Sequence, residues 1–126
     1  MSLKNINVFE KESQRDLLYK LLSSSKVCVV TFSASWCKPC KSLSTSLDTE
    51  LENIKDKLLT PASNPDTDIQ TKISFCKIDI DVFNDLCSVY KVTSIPHTVF
   101  FKNGQLDSEI IKGNDATQII NKVNKL

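Results

Sequence analysis

Hydrophobic and polar positions along this chain follow two periods, one helical and one alternating. From Ser13 to Ser23, Leu17, Leu18, Leu21 and Leu22 recur with Arg15, Asp16 and Lys20 between them, which predicts an amphipathic helix. Just before it, Ile6 and Val8 alternate weakly within Asn5 to Phe9, the pattern of a short edge strand. Val27 to Phe32 is a short, apolar, β-branched run and predicts a buried central strand. Leu43, Leu47, Leu51, Ile54 and Leu58 then return at helical spacing, predicting a long helix from Ser42 to Leu59. Ile73 to Ile80 alternates cleanly and predicts an inner strand, in which Lys77 is an odd charge among core residues. Phe83, Leu86 and Tyr90 share one face of a short helix over Val82 to Tyr90. Asn103-Gly104 between Thr98–Phe101 and Leu106–Ile111 is a two-residue hairpin signal. A last helix follows, with Asn114 or Asp115 as its cap and Ile119, Ile120 and Val123 facing inward.

This order of elements argues for an α/β fold, a central mixed β-sheet with helices on both faces. The inner pair of strands should be parallel, and the hairpin should add antiparallel strands to it. Between Thr60 and Lys72 the pattern breaks: Pro61, Ser63, Asn64, Pro65, Asp66 and Asp68 are turn formers. A loop around 60–72 is longer than a compact domain usually spends on one connection, so an exposed, mobile insertion is expected. No repeat and no linker interrupts the chain, so residues 1–126 are expected to form a single domain.

The chemistry sits where the central strand ends and the long helix begins. Trp36-Cys37-Lys38-Pro39-Cys40-Lys41 places two cysteines one helical turn apart at a helix start. The free N–H groups and dipole there favour negative charge, so a thiol ionises more readily. A thiolate is the nucleophile of disulfide exchange, and a second cysteine can attack the mixed disulfide that results. Pro39 suits the first turn, where its missing N–H costs nothing.

Composition narrows the picture further. With 16 basic and 15 acidic residues among 126, the net charge is +1, and no nucleic-acid or membrane partner is expected. No apolar run approaches the roughly 20 residues of a membrane span, and the first residues lack the apolar segment of a secretory signal. A cytoplasmic protein is therefore expected. Five cysteines cannot all pair internally. Cys28 and Cys76, in strand-like runs, and Cys87, in a helix, are expected as small core residues of a reduced protein, with an exposed Cys87 as a redox handle the alternative.

Four blocks in order resemble the thioredoxins. They are Phe32 to Lys41 with its Trp before the first Cys, Phe75 to Asp81 with a buried Lys, Ser94-Ile95-Pro96-His97-Thr98, and Phe100 to Gln105. The resemblance spans nearly the whole chain and implies the thioredoxin fold and reduction of protein disulfides. It implies that Cys37, exposed and polarised, attacks and that Cys40, more buried, resolves. It also implies that Pro96 is cis, that Trp36, Ile95 and Pro96 hold the substrate peptide, and that Lys77 tunes the proton balance near Cys40. No bound cofactor is implied, since electrons come from a flavoprotein thioredoxin reductase, and a monomer is expected. Three positions depart from the family pattern. Thr31 stands where a buried Asp is common, six residues before Cys37, which predicts slower resolution. Lys38 replaces the usual Gly, adding a charge that favours thiolate and a more oxidising couple. Ser94 replaces the Gly two residues before the proline, where a side chain would narrow the groove.

Other readings stay open. His97, the sole histidine, could serve catalysis or a metal, though a locally hydrogen-bonded strand-edge residue is the expectation. Zinc wants four ligands, and no second C-x-x-C or H-x-x-x-H exists, so no metal is expected. An iron–sulfur cluster shared by two chains would need only two cysteines from each. Lys38 mildly supports a disulfide oxidase or isomerase, and the missing Asp supports a partner-binding module without catalysis.

Overall fold

The structure is a computed structural model and describes residues 3–126. Its strands are β1 (Asn7–Phe9), β2 (Val27–Ser33), β3 (Ile73–Asp79), β4 (His97–Lys102), β5 (Gln105–Leu106) and β6 (Ile111–Lys112). Its helices are α1 (Arg15–Ser24), α2 (Lys38–Leu51), α3 (Asn84–Val89) and α4 (Ala116–Lys125). The sheet runs β1-β3-β2-β4-β5, with β6 also on β4. β1, β3 and β2 are parallel, and β4 is antiparallel to β2. The predicted mixed sheet is therefore present, with the apolar run of β2 at its centre and buried at every position.

Alternation along the strands divides the core in two. Cys28, Val30, Phe32, Cys76, Ile78, Val99 and Phe101 pack against Leu18 and Leu21 of α1 and Phe83 and Leu86 beside α3. Val27, Val29, Phe75 and Phe100 pack on the other face, against Leu43, Leu47 and Leu51 of α2 and Ile119 and Val123 of α4. Cys28 and Cys76 are fully buried, their sulfurs 3.7 Å apart, and serve as small core residues, as expected.

Three elements differ from the pattern reading. The long helix stops at Leu51 and passes into a 3₁₀ segment, Glu52–Lys57, with a kink at Ile54. Leu58 keeps the apolar rhythm but belongs to the sheet: it bridges to Ile73, and Leu59 N–H donates to the Ile73 carbonyl. Second, the 60–72 segment is not simply exposed. Ile69 opens a short 3₁₀ turn and is buried in the α1-side core, and Lys20 of α1 pairs with Asp66. Third, the return strand of the hairpin is broken between Leu106 and Ile111. Asp107 turns back to accept from the Glu109 N–H, and both carboxylates hold Lys122 of α4, at 2.8 and 3.0 Å. The turn itself is as predicted, with Asn103 and Gly104 both at positive φ. A Cβ at Gly104 would stand 2.9 Å from the Ser23 carbonyl oxygen, so the close approach also requires glycine. At the last helix Asp115 is the cap, accepting from the Gln118 N–H at 3.0 Å.

Candidate active site

β2 delivers the chain to the top of the sheet, and the turn Ala34-Ser35-Trp36 leads directly into α2. Cys37 is the N-cap of that helix, with extended backbone, and Pro39 lies in its first turn. The Cys37 sulfur accepts from the Cys40 N–H at 3.2 Å, so one of the helix's unpaired donors is already aimed at it. The two cysteines form a disulfide with Cα atoms 5.3 Å apart. In the reduced state that same N–H and the helix dipole stabilise a Cys37 thiolate.

The exposure expected of Cys37 is not found in this oxidised form. Cys37 is only 6% exposed, although it remains less buried than Cys40, which is fully covered. Its sulfur is turned inward to Cys40, and the pair packs with Ala34, Ile80 and Ile95 in a small apolar cluster. Lys38, next to it, is exposed at the first position of the helix.

Trp36 is 65% exposed, yet its indole N–H donates to Asp81 at 3.1 Å, which fixes the ring beside the cysteines. The Ile95–Pro96 bond is cis. Trp36, Ile80, Asp81, Cys87 and Ile95 line a cleft of about 520 Å³ alongside the pair. The structure thus gathers Cys37, Cys40, Trp36, Ile95 and Pro96 at one end of the sheet. Asp81 was not singled out from sequence, although it closes the second matched block. Nothing in a lone Asp says that an indole will bind it. Cys87 is partly buried: it packs against the α1-side core and also reaches this cleft.

Lys77 lies elsewhere, under α2. It sits opposite Thr31 in the β2–β3 ladder, half-buried and without an ion pair among the described residues. Burial lowers its pKa, Lys41 adds to the effect, and Glu10 and Asp79 oppose it. Thr31 is an alcohol and offers no base near neutral pH, and its hydroxyl is engaged with that of Thr98 at 3.0 Å.

His97 corrects the sequence reading most plainly. β4 is an inner strand between β2 and β6, so His97 is 1% exposed and packs edge-on to Phe32. Neither ring nitrogen has a hydrogen-bond partner among the described residues. Desolvation, and then Lys112 in the paired strand, hold its pKa below the usual value. In the unfolded chain the ring titrates near 6.5, so the unfolded state binds more protons just below that pH. Stability from the neutral ring is complete above about 6.5 and is lost as pH falls through that value toward the depressed folded one. Melting at pH 7.5 and 5.5 is expected to show a drop that shrinks in His97→Leu; an equal drop in both proteins would refute this assignment.

These features have counterparts in known proteins. The family model described as Thioredoxin matches residues 7–125. The chain belongs to the thioredoxin family. A thioredoxin of Echinococcus granulosus is 29% identical over 112 residues, covering 89% of this chain and 90% of its own. A thioredoxin-like protein of Fusarium culmorum is 34% identical over 107 residues, 82% of this chain and 78% of that one. The oxidised structure of mitochondrial thioredoxin 3 from Saccharomyces cerevisiae shares the fold, with a TM-score of 0.71, 24% identity and coverage of 96% and 95%. The mixed sheet with helices on both faces is the thioredoxin fold. With Cys37 and Cys40 paired at the helix start, this is a thioredoxin-type thiol–disulfide oxidoreductase.

Proposed function

We propose that this thioredoxin reduces disulfides in protein partners, with Cys37 attacking and Cys40 resolving. The observation that carries the reading is the asymmetry of the pair. Cys37 caps the helix, receives an N–H donor and packs with Ile80 and Ile95, which line the cleft, while Cys40 is completely covered. In the first step the Cys37 thiolate attacks one sulfur of the substrate disulfide, and the other leaves as a thiolate. A mixed disulfide remains. Cys40, deprotonated, then attacks Cys37 Sγ, the second substrate sulfur leaves, and the Cys37–Cys40 disulfide forms. Two electrons have passed to the substrate, and a reductase must return them.

Trp36, Ile95 and Pro96 form the docking rim in this reading, supported by Trp36 and Ile95 lining the cleft and by the cis bond that joins Ile95 to Pro96. Lys38, one residue from the attacking sulfur, favours its thiolate by simple charge. Lys77 acts from behind, near Cys40. Partners are disulfide-bearing proteins and a thioredoxin reductase, as in the family. The single domain works as a monomer, without bound cofactor, in cell redox homeostasis and electron transfer. A cytoplasmic location is supported by the three further cysteines, none of which is in a disulfide. No described helix is long and apolar enough to cross a membrane.

The test is turnover: the protein, a flavoprotein thioredoxin reductase, NADPH and insulin as the disulfide substrate. Steady NADPH oxidation that depends on both protein and insulin is expected. A protein that is recycled by the reductase but leaves insulin oxidised would contradict the reductase reading. It would favour the oxidase or isomerase role to which Lys38 points.

A further inference from the structure

We propose that the trough between β1 and α2 binds a small zwitterion with an apolar body, of the chemical class of a free apolar amino acid. The ligand's carboxylate lies at Lys41 and Lys77, its ammonium at Glu10, and its side chain on the apolar wall beside them.

Strand alternation builds that wall. Ile6, Val8 and Glu10 fall at every second position and all line the trough, while Phe9 between them enters the α1-side core. Val8 pairs with Lys77 of β3, which brings the lysine to the same wall. Lys41 and Thr45 stand one helical turn apart on α2, and Pro61 joins them from the segment beyond it. The trough encloses about 660 Å³, within the roughly 300–1,000 Å³ usual for small-molecule sites. A second cleft of about 210 Å³ shares Val8, Glu10, Lys41 and Lys77 with it and adds Ser33 and Asp79. Neither Cys37 nor Cys40 lines either space, so the site is distinct from the redox pair.

The charges on these walls carry both signs and are left unpaired. None of Glu10, Lys41, Lys77 and Asp79 forms an ion pair among the described residues. Lys77 is half-buried, and burial, then Lys41, lowers its pKa against the pull of Glu10 and Asp79, as befits an ammonium without a direct counter-ion. One Asp79 oxygen accepts from the Asp81 N–H, which leaves Glu10 as the uncommitted carboxylate of the trough. A separate observation also points to a polar ligand group. Ser33 is 1% exposed, and its Oγ has no hydrogen-bond partner among the described residues. Buried hydroxyls are nearly always satisfied. This one lines the cleft that holds both lysines, where it can donate to a ligand carboxylate.

The arrangement selects among ligands. A plain anion meets the carboxylate of Glu10, and a plain cation meets two lysines. A zwitterion satisfies both signs at once. The Ser44 and Thr45 hydroxyls already donate to the Cys40 and Lys41 carbonyls, at 2.9 and 3.1 Å, so the ammonium groups and Ser33 remain as the donors. Leu3, Ile6, Val8 and Pro61 supply the apolar surface, which suits a side chain of leucine or phenylalanine size.

Amide NMR titration of the full chain with phenylalanine, phenylpropionate and phenethylamine tests this, since the last two each lack one charge. Phenylalanine is expected to give saturable shifts at Val8, Glu10, Lys41 and Lys77, and to bind at least about tenfold more tightly than either analogue. Lys77→Met is expected to weaken phenylalanine at least about tenfold, and Lys41→Gln and Glu10→Gln about threefold or more each. Lys41 and Glu10 are exposed, so their variants keep the test intact even where Lys77→Met does not fold. Ser33→Ala is expected to weaken binding several-fold and Ser33→Thr, which keeps the hydroxyl, to restore it. No saturable shift up to about 10 mM phenylalanine overturns the proposal. Equal affinity for phenylpropionate overturns the ammonium contact at Glu10, and equal affinity for phenethylamine overturns the lysine pair. Unchanged affinity in the Lys41 and Glu10 variants overturns the placement of the site.

Discussion

Cys37→Ser is expected to lower protein-disulfide reduction by at least a thousandfold, to roughly background. A serine hydroxyl ionises far above any accessible pH unless a base adjoins it. The sole histidine, His97, is buried on the opposite face of the sheet, packed on Phe32 with the α1-side core. The helix N-terminus that suffices for a thiol is not enough for an alcohol. Cys40→Ser should behave differently. Cys37 still attacks, but without its neighbour the mixed disulfide persists, because the intramolecular step had an effective concentration that no external thiol matches. Mass spectrometry should find one substrate equivalent attached through Cys37 in Cys40→Ser and none in Cys37→Ser. Turnover surviving in Cys37→Ser would remove Cys37 as the nucleophile; a partner-binding function that survives with turnover lost would favour a binding module.

Phe32→Ala should cost about 3–5 kcal/mol of stability, the usual range for a buried Phe reduced to Ala. Phe32 is fully buried in the central strand and meets Tyr90 and His97 through its ring, at 6.1 and 6.0 Å between centroids. β2 is held between β3 and β4, so its backbone cannot move in to fill the void. For a chain of this size that loss corresponds to a fall in melting temperature of roughly 10–20 °C. The void also lies beneath His97, directly after the cis-proline, so substrate KM should rise even where the protein remains folded. Calorimetry and insulin kinetics on the same sample check both; a fall of only a few degrees would show that this core is looser than its packing indicates.

What the chain made legible was whatever its local pattern controls. β2, β3 and the Asn103-Gly104 turn follow from runs and spacing, and the Cys37–Cys40 pair falls at the strand-to-helix junction where the pattern put it. The misreadings share a cause: a residue's apolar rhythm does not say which element buries it. Leu58 prolonged the helical period of α2, yet its side chain is buried by pairing with β3, which requires the kink at Ile54. Ile69 was lost among turn formers because a single anchor has no period. His97 looked like an edge residue until β6 was seen to cover β4 from the other side. Ser33 and Asp81 gave no signal at all. Their surroundings, a polar cleft and an indole N–H, come from other parts of the chain, and neither is written in local sequence.

The measurement that bears most directly on the whole account is the reduction potential of the Cys37–Cys40 couple, by equilibration with glutathione. Thioredoxins lie near about −270 mV and protein disulfide isomerases near about −180 mV, a gap worth roughly 4 kcal/mol. A single neighbouring charge such as Lys38 contributes less than that gap. The account predicts a value close to the thioredoxin end, slightly raised by Lys38. A value at the isomerase end would mean that the pair donates disulfides, and would contradict the reductase assignment.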